Sequence, residues 1–406
     1  MQKGILSGLR VIDCGTYVAG PASTTIMSDF GAEVVKIERP QGGDLYRCMA
    51  ALPGFAQAAI NWPWVLTSRN KKSVALDLSS SQGRAVLIRL IKTADVFVTN
   101  YQHPLLAKFQ LTWEQLQPEN ERLIYAHLTG YGDTGEDADA PTFDALAYWA
   151  RSGLMRSVVG LDGTPGGPRP GMGDHPTSVS LFGAIMLGLY QRERTGRGVK
   201  VGTSLLASGA WANACDLQAK LCRAEFPQRG ADGTPPNPLA AGYLSRDGKA
   251  FLVVLLDPDT EFPQLCRALG HEDLAINPLF ATTQARTANA AALFAILQAQ
   301  FDARDLAEWR VLFKQADIKW APLPTLEEVV DDPQMRAAGA FVDLDYPGYG
   351  KLTTINSPIF TTAGDKRPPT AAPQLGAHTK EVLQDLGYDE ETIAMLVRRG
   401  VVVTDD

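Results

Sequence analysis

The sequence predicts an α/β fold, a doubly wound parallel sheet carrying a smaller α+β domain, on three observations. Residues 9–13 and 31–38 are apolar runs of strand length on either side of a helical 22–30, which makes a βαβ unit. Further buried-strand runs at 73–78, 96–99 and 123–128 alternate with helical stretches such as 82–92, as parallel strands require because each needs a crossover connection. Composition then changes at 226–238, where Gly and Pro crowd a segment that can continue neither a helix nor a central strand.

Taken in order, residues 15–21 form the turn between the first strand and helix, and the alternating pattern runs to about residue 200. Thr195-Gly196-Arg197-Gly198 ends a helix, 199–201 can form a strand, and 204–223 reads as one long helix. Beyond the linker, 242–254 reads as a hairpin about Asp247-Gly248, followed by helices through Lys314. The chain turns extended after 320–324. It ends in a helix capped by Asp389, with Glu390 and Glu391 in its first turn and Arg398, Arg399 and Gly400 at its end. The expected domains are 1–225, 226–325 and 326–406.

A chain of 406 residues, 45% of them hydrophobic, can bury ample cores. Its net charge of −7 argues against a nucleic-acid surface, so an anionic ligand must be held by local basic groups. The five cysteines form no CxxC pair and the five histidines are scattered, so neither a disulfide framework nor a metal site is indicated. No uncharged apolar run approaches the roughly 20 residues of a membrane span. The expectation is a cytoplasmic protein with small-molecule partners.

Gly171-Met172-Gly173-Asp174-His175-Pro176-Thr177 places a lone carboxylate where a helix begins, since Pro176 suits a first turn and apolar 179–189 can continue it. The helix dipole and free N–H groups there favour an ionised Asp174, and the small residues beside it leave room for a substrate. Such a carboxylate can be a nucleophile. It can equally be a plain N-cap, and spacing leaves both open.

Several stretches in order resemble the family III CoA-transferases, the group that includes formyl-CoA transferase, carnitine CoA-transferase and the α-methylacyl-CoA racemases. They are Leu9-Arg10-Val11-Ile12-Asp13 with Ala19-Gly20-Pro21, Gly31-Ala32-Glu33-Val34-Val35-Lys36-Ile37-Glu38-Arg39-Pro40 with Gly43-Asp44, and Asn70-Lys71-Lys72-Ser73-Val74-Ala75-Leu76-Asp77-Leu78. Asp95-Val96-Phe97-Val98-Thr99-Asn100-Tyr101, Thr129-Gly130-Tyr131-Gly132, Gly173-Asp174, Thr195-Gly196-Arg197-Gly198 and a late Gly376-Ala377-His378-Thr379 follow. The resemblance implies a Rossmann-like large domain built from both ends of the chain, a small domain between, and two subunits interlocked as a homodimer.

It also implies a chemistry in which CoA is a substrate and no prosthetic group or metal takes part. Asp174 attacks an acyl-CoA thioester, and CoA then moves between carboxylic acids of short or medium length through mixed anhydrides and an aspartyl-CoA thioester. Water must be excluded from those intermediates. By the same resemblance Thr16, Tyr17, Val18 and Ala19 contact the pantetheine arm, Arg39, Lys71 and Lys108 the adenine and phosphates, and Asn100 and Tyr101 the same groove, while Tyr131 flanks the thioester. Tyr131 can also be a buried structural tyrosine, and isolated basic residues can be solvated charges.

The first turn lacks GxGxxG, with five residues from Gly15 to Gly20, which disfavours a nicotinamide dehydrogenase although Glu38 ends the second strand as a ribose-binding acid would. His175 need not be a general base, since carboxylates attack already ionised. The racemases resembled here use a His-Asp pair where this chain has Phe143-Asp144, so the imidazole for α-proton exchange is missing and Asp144 reads as structural. The segment Arg229-Gly230-Ala231-Asp232-Gly233-Thr234 is short where some transferases carry a long Gly-rich loop. That leaves an alternative in which CoA moves between two carboxyls of one dicarboxylic acid, as in mesaconyl-CoA transfer. A non-catalytic acyl-CoA-binding protein is a further alternative. Arg47, Arg69 and Arg151 are candidates for a second substrate carboxylate or ordinary structural charges.

Overall fold

The computed structural model describes residues 4–161, 164, 166–230 and 233–405, so Ala231 and Asp232 of the short loop lie outside the described residues. Six strands, β1 (Arg10–Cys14), β2 (Glu33–Glu38), β3 (Lys71–Leu76), β4 (Val96–Thr99), β5 (Ile124–Thr129) and β6 (Val199–Ser204), are parallel to one another. They lie in the order β3-β2-β1-β4-β5-β6. The order reverses between β1 and β4, and such a switch point leaves a crevice at the carboxyl ends of the two strands. The central strands carry apolar residues on both faces because both are covered: Ile12, Val35, Val74 and Phe97 belong to one core and Val11, Val34, Val96 and Val98 to the other.

Two differences from the sequence reading have local causes. The first helix spans Ala19–Asp29, starting three residues before the expected 22, since Pro21 falls in its first turn, where a missing N–H costs nothing. The long helix expected over 204–223 is broken at Asn213 into Leu205–Ala212 and Ala214–Leu221. There the backbone turns to φ −96°, ψ 17°, and the Asn213 side-chain amide donates to the Ser152 carbonyl at 3.1 Å. Asp174–Thr195 is a single helix that closes on Gly196 at φ 74° and buries Thr177, Leu181, Ile185, Gly188 and Arg192 along one side.

The chain divides into two compact units, Met1–Leu154 with Pro168–Ala214 and Arg336–Asp406, and Met155–Gly167 with Cys215–Met335. The second therefore starts earlier than the composition change at 226 and takes in Met155–Gly167. Its sheet pairs β7 (Ala240–Leu244) with β8 (Ala250–Val254) around Gly248 at φ 71°, and adds β9 (Trp320–Pro322). Phe251, Phe301, Trp309 and Phe313 fill its core. The first unit regains the C-terminal segment through the hairpin β10 (Phe341–Tyr346) and β11 (Gly350–Ile355). The helix Glu390–Arg398 follows, capped by Asp389 as expected. Finally β12 (Val402–Val403) pairs antiparallel with β3 and covers that sheet edge.

Candidate functional site

A cavity of about 400 Å³ opens where β1, β4, β5 and β6 end. Thr16, Tyr17, Val18 and Ala19 come to it from the turn after β1, Asn100 and Tyr101 from the turn after β4, Thr129 and Gly130 from the end of β5, and Asp174 from its helix. Two turns far apart in sequence are locked by one side chain: Asn100 Oδ1 accepts the Thr16 N–H at 2.8 Å and its Nδ2 donates to the Thr16 carbonyl at 2.9 Å. Tyr17 takes the left-handed conformation at φ 61°, strained for a residue with a side chain, and its N–H is held by Asp44 Oδ1 at 3.1 Å. Its ring stands edge-on to Phe143, 5.4 Å between centroids.

Beneath this turn lies a buried ionic network. Lys36 bridges Asp44 at 3.0 Å and Asp13 at 4.0 Å and donates to the Gly15 carbonyl. Lys71 pairs with Asp13 at 3.0 Å and donates to the Pro21 carbonyl at 2.6 Å. Burial alone would raise Asp13, but the Lys71 and Lys36 ammoniums outweigh it and hold the carboxyl below its usual range. Burial draws Lys71 down to about 8 despite Asp13. Lys71 is thus fully enclosed and spent on internal partners, a position from which it cannot meet a ligand phosphate. Glu38 is equally committed, to Arg47 at 2.7 Å and to the Ser73 hydroxyl at 2.7 Å, and offers nothing to a ribose.

The other expected contacts lie outside this cavity. Arg39 is exposed and donates to the Gly43 carbonyl, Lys108 is exposed beside the Phe109 ring, and the Tyr131 ring lies under Arg151 at 4.8 Å. Arg47 and Arg69 are structural, the first on Glu38 and stacked over Trp64, the second on Asp29 at 2.7 Å. Arg151 pairs with Asp137 at 2.6 Å.

Asp174 is the first helical residue. Gly173 precedes it as cap, and among the described residues no hydrogen bond or ion pair reaches its carboxylate. Asp144 caps its own segment, Ala145–Arg151, with Oδ1 on the Ala145 N–H at 2.7 Å, and its Oδ2 accepts the Gly173 N–H at 3.0 Å just before the Asp174 helix. Only glycine fits at 173, since a Cβ there would lie 2.6 Å from the Tyr148 ring. Burial, with Asp144 adding repulsion, pushes the Asp174 carboxyl up to about 8. This opposes the ionised state expected from a helix N-terminus, because burial and the nearby Asp144 charge both act against it. His175 lines a different cavity, about 460 Å³, with Arg69 and Pro176, and burial lowers its imidazole. Phe143, in contrast, lines the Asp174 cavity and supplies no imidazole.

The sequence reading missed Gln102, His103 and Thr142 as lining residues, and also Tyr46, a buried phenol whose ionisation is opposed first by burial and then by Asp174. Gln102 and His103 continue the Asn100-Tyr101 turn, a signal that was available; nothing in the sequence connects Tyr46 with Asp174.

The molecule is an α/β protein whose switch-point crevice, the place where open parallel sheets bind ligands, faces a carboxylate with no partner among the described residues. Residues 6–379 match the model of CoA-transferase family III, and the chain belongs to that family. It is 30% identical over 401 residues to cinnamoyl-CoA:phenyllactate CoA-transferase of Clostridium sporogenes, covering 97% of this chain and 96% of that one. It is 32% identical over 405 residues to succinyl-CoA:glutarate CoA-transferase of Mus musculus, covering 98% and 90%. A CaiB/BaiF family protein from Brucella suis has a similar solved structure, with TM-score 0.81, 28% identity, and 95% and 100% of the two chains covered.

Proposed function

We propose that this protein transfers CoA between short- or medium-chain organic acids, with Asp174 as covalent nucleophile, as a cytoplasmic homodimer. One observation carries the reading: Asp174, free of any hydrogen-bond partner among the described residues, shares a cavity with the turns after β1 and β4. Thr16, Tyr17, Val18, Ala19, Asn100 and Tyr101 hold the pantetheine end of acyl-CoA there. An Asp174 oxygen attacks the thioester carbonyl, the C–S bond breaks, and an acyl-aspartyl anhydride and CoA thiolate result. The thiolate attacks the aspartyl carbonyl and releases the first acid as carboxylate. The acceptor carboxylate then displaces CoA from the aspartyl thioester, and the thiolate reopens the second anhydride to give the new acyl-CoA and the original carboxylate. No net proton is consumed over the cycle, but the buried Asp174 carboxyl, raised to about 8, must lose its proton before it attacks.

Arg39 and Lys108, both exposed, remain available for the phosphates of CoA, and Tyr131 for the acyl end. The two named relatives each pair a donor acyl-CoA with a separate acid, which supports intermolecular exchange. Incubation with a panel of acyl-CoAs in the presence of hydroxylamine, followed by peptide mapping, tests the mechanism. A hydroxamate confined to Asp174 and absent from Asp174→Ala is the expected result. Binding of acyl-CoA without any adduct would instead indicate a binding protein, and full turnover without an added acid would indicate transfer within one dicarboxylic acid.

A further inference from the structure

His103, His127 and Asp133 come from three places: the start of the helix His103–Phe109, strand β5, and the turn after β5. One ligand atom from each lies within 4.8 Å of the other two. Asp133 Oδ1 is the shared apex, 3.2 Å from His127 Nδ1 and 3.4 Å from His103 Nε2. The remaining ring nitrogens face groups that can only accept: His127 Nε2 meets the Tyr101 carbonyl at 2.9 Å and His103 Nδ1 meets Asp139 Oδ1 at 2.9 Å. Each of those nitrogens therefore carries the hydrogen. A neutral imidazole has then only a lone pair on its other nitrogen, and both lone pairs face the lone pairs of one carboxylate oxygen. A cation between them turns that repulsion into coordination.

From these contacts we infer that His103 Nε2, His127 Nδ1 and Asp133 Oδ1 form a divalent transition-metal site. Donors placed about 2.1 Å from a tetrahedral ion lie about 3.4 Å apart, which the spacings to Asp133 Oδ1 match. The carboxylate and the backbone carbonyl behind the two rings are the groups that orient metal-bound histidines elsewhere. Two imidazoles and one carboxylate suit zinc and its neighbours over magnesium or calcium. Lys200 holds the second oxygen of Asp133 at 2.8 Å and leaves Oδ1 for the ion. Since Tyr101 and His103 line the Asp174 cavity, the ion braces the end of β5 against the turn that forms the cavity wall.

The test uses the full-length protein, stripped with chelator and titrated with Zn²⁺, with Co²⁺ as a spectroscopic substitute. The wild type and the surface control His271→Ala are expected to bind one ion per chain, to gain in Tm, and to give cobalt ligand-field bands. Asp133→Asn and His103→Ala, both at partly exposed positions, are each expected to lose affinity by at least about tenfold while keeping the near-ultraviolet dichroism of a packed fold. No stoichiometric binding by the wild type at micromolar free metal would overturn the assignment, with a second proton on each ring then filling the role of the ion. Equal binding by both variants and wild type would overturn it too, since the ion would sit elsewhere.

Discussion

Asp174 and Lys71 are buried ionisable groups whose surroundings oppose their charge, and their partners separate the two roles. Asp174 has only burial and Asp144 acting on it, so its carboxyl is raised to about 8 from 3.8. The folded state then favours the proton more than the unfolded state does. Stability is intact below the unfolded value and is lost as pH rises toward the folded one. Asp174→Asn cannot ionise, so its Tm is expected to exceed that of the wild type by an amount that grows from about pH 4 to pH 8. A constant difference in calorimetry across that range would contradict the stated environment. The same substitution should cut turnover by several orders of magnitude. In the wild type, kcat/KM for acyl-CoA should rise with pH until it levels above about 8. Lys71, paired with Asp13 at 3.0 Å, behaves in the opposite way. Lys71→Met leaves a buried carboxylate short of a partner and is expected to cost about 3–5 kcal/mol in urea unfolding. A phosphate-binding lysine would instead show a higher KM at unchanged stability, so the pair of measurements distinguishes the roles.

Among the elements, the turns after β1 and β4 carry the cavity, and the Asn100 clamp ties them together. Asn100→Ala removes both bonds to Thr16 and should cost about 1–3 kcal/mol, with a raised KM for acyl-CoA as the turn carrying the strained Tyr17 loosens. An unchanged KM would detach this turn from ligand binding. The strands themselves were legible, because apolar runs such as 9–13 and 96–99 need no distant partner to declare themselves. The site was legible where it follows a strand end, at residues 16–19 and 100–101, or a helix start, at Asp174. What stayed hidden depends on residues meeting across the fold. Lys71 reads as a surface cation until β3 is placed beside β2, with the Asp13 carboxylate of β1 in reach. The bond from the Gly173 N–H to Asp144 spans 29 positions of sequence, and His103, His127 and Asp133 have no motif spacing at all. The break at Asn213 depends on the Ser152 carbonyl, which no local pattern announces.

At the scale of the whole molecule, the proposed homodimer accounts for apolar side chains that a single chain leaves in water. Leu187 and Tyr190, on the helix that Asp174 begins, are 71% and 63% exposed, and Trp211 on Leu205–Ala212 is 82% exposed. A second copy seated on these helices would take such groups out of water. Light scattering is therefore expected to give twice the 43.8 kDa of the chain, down to nanomolar protein. A monomer at micromolar concentration would remove the proposal. Interlocking makes a stronger demand than association, because linked subunits cannot separate while both are folded. Two preparations carrying different affinity tags, mixed and incubated under native conditions, should form mixed dimers no faster than the chain unfolds. Brief denaturation and refolding of the mixture should then produce them in statistical proportion. Exchange within minutes at a temperature where unfolding takes days would leave a dimer but would show that its subunits merely face each other. The Trp211→Lys variant separates the cases once more: a face-to-face dimer should dissociate, whereas an interlocked one should keep its mass and lose Tm.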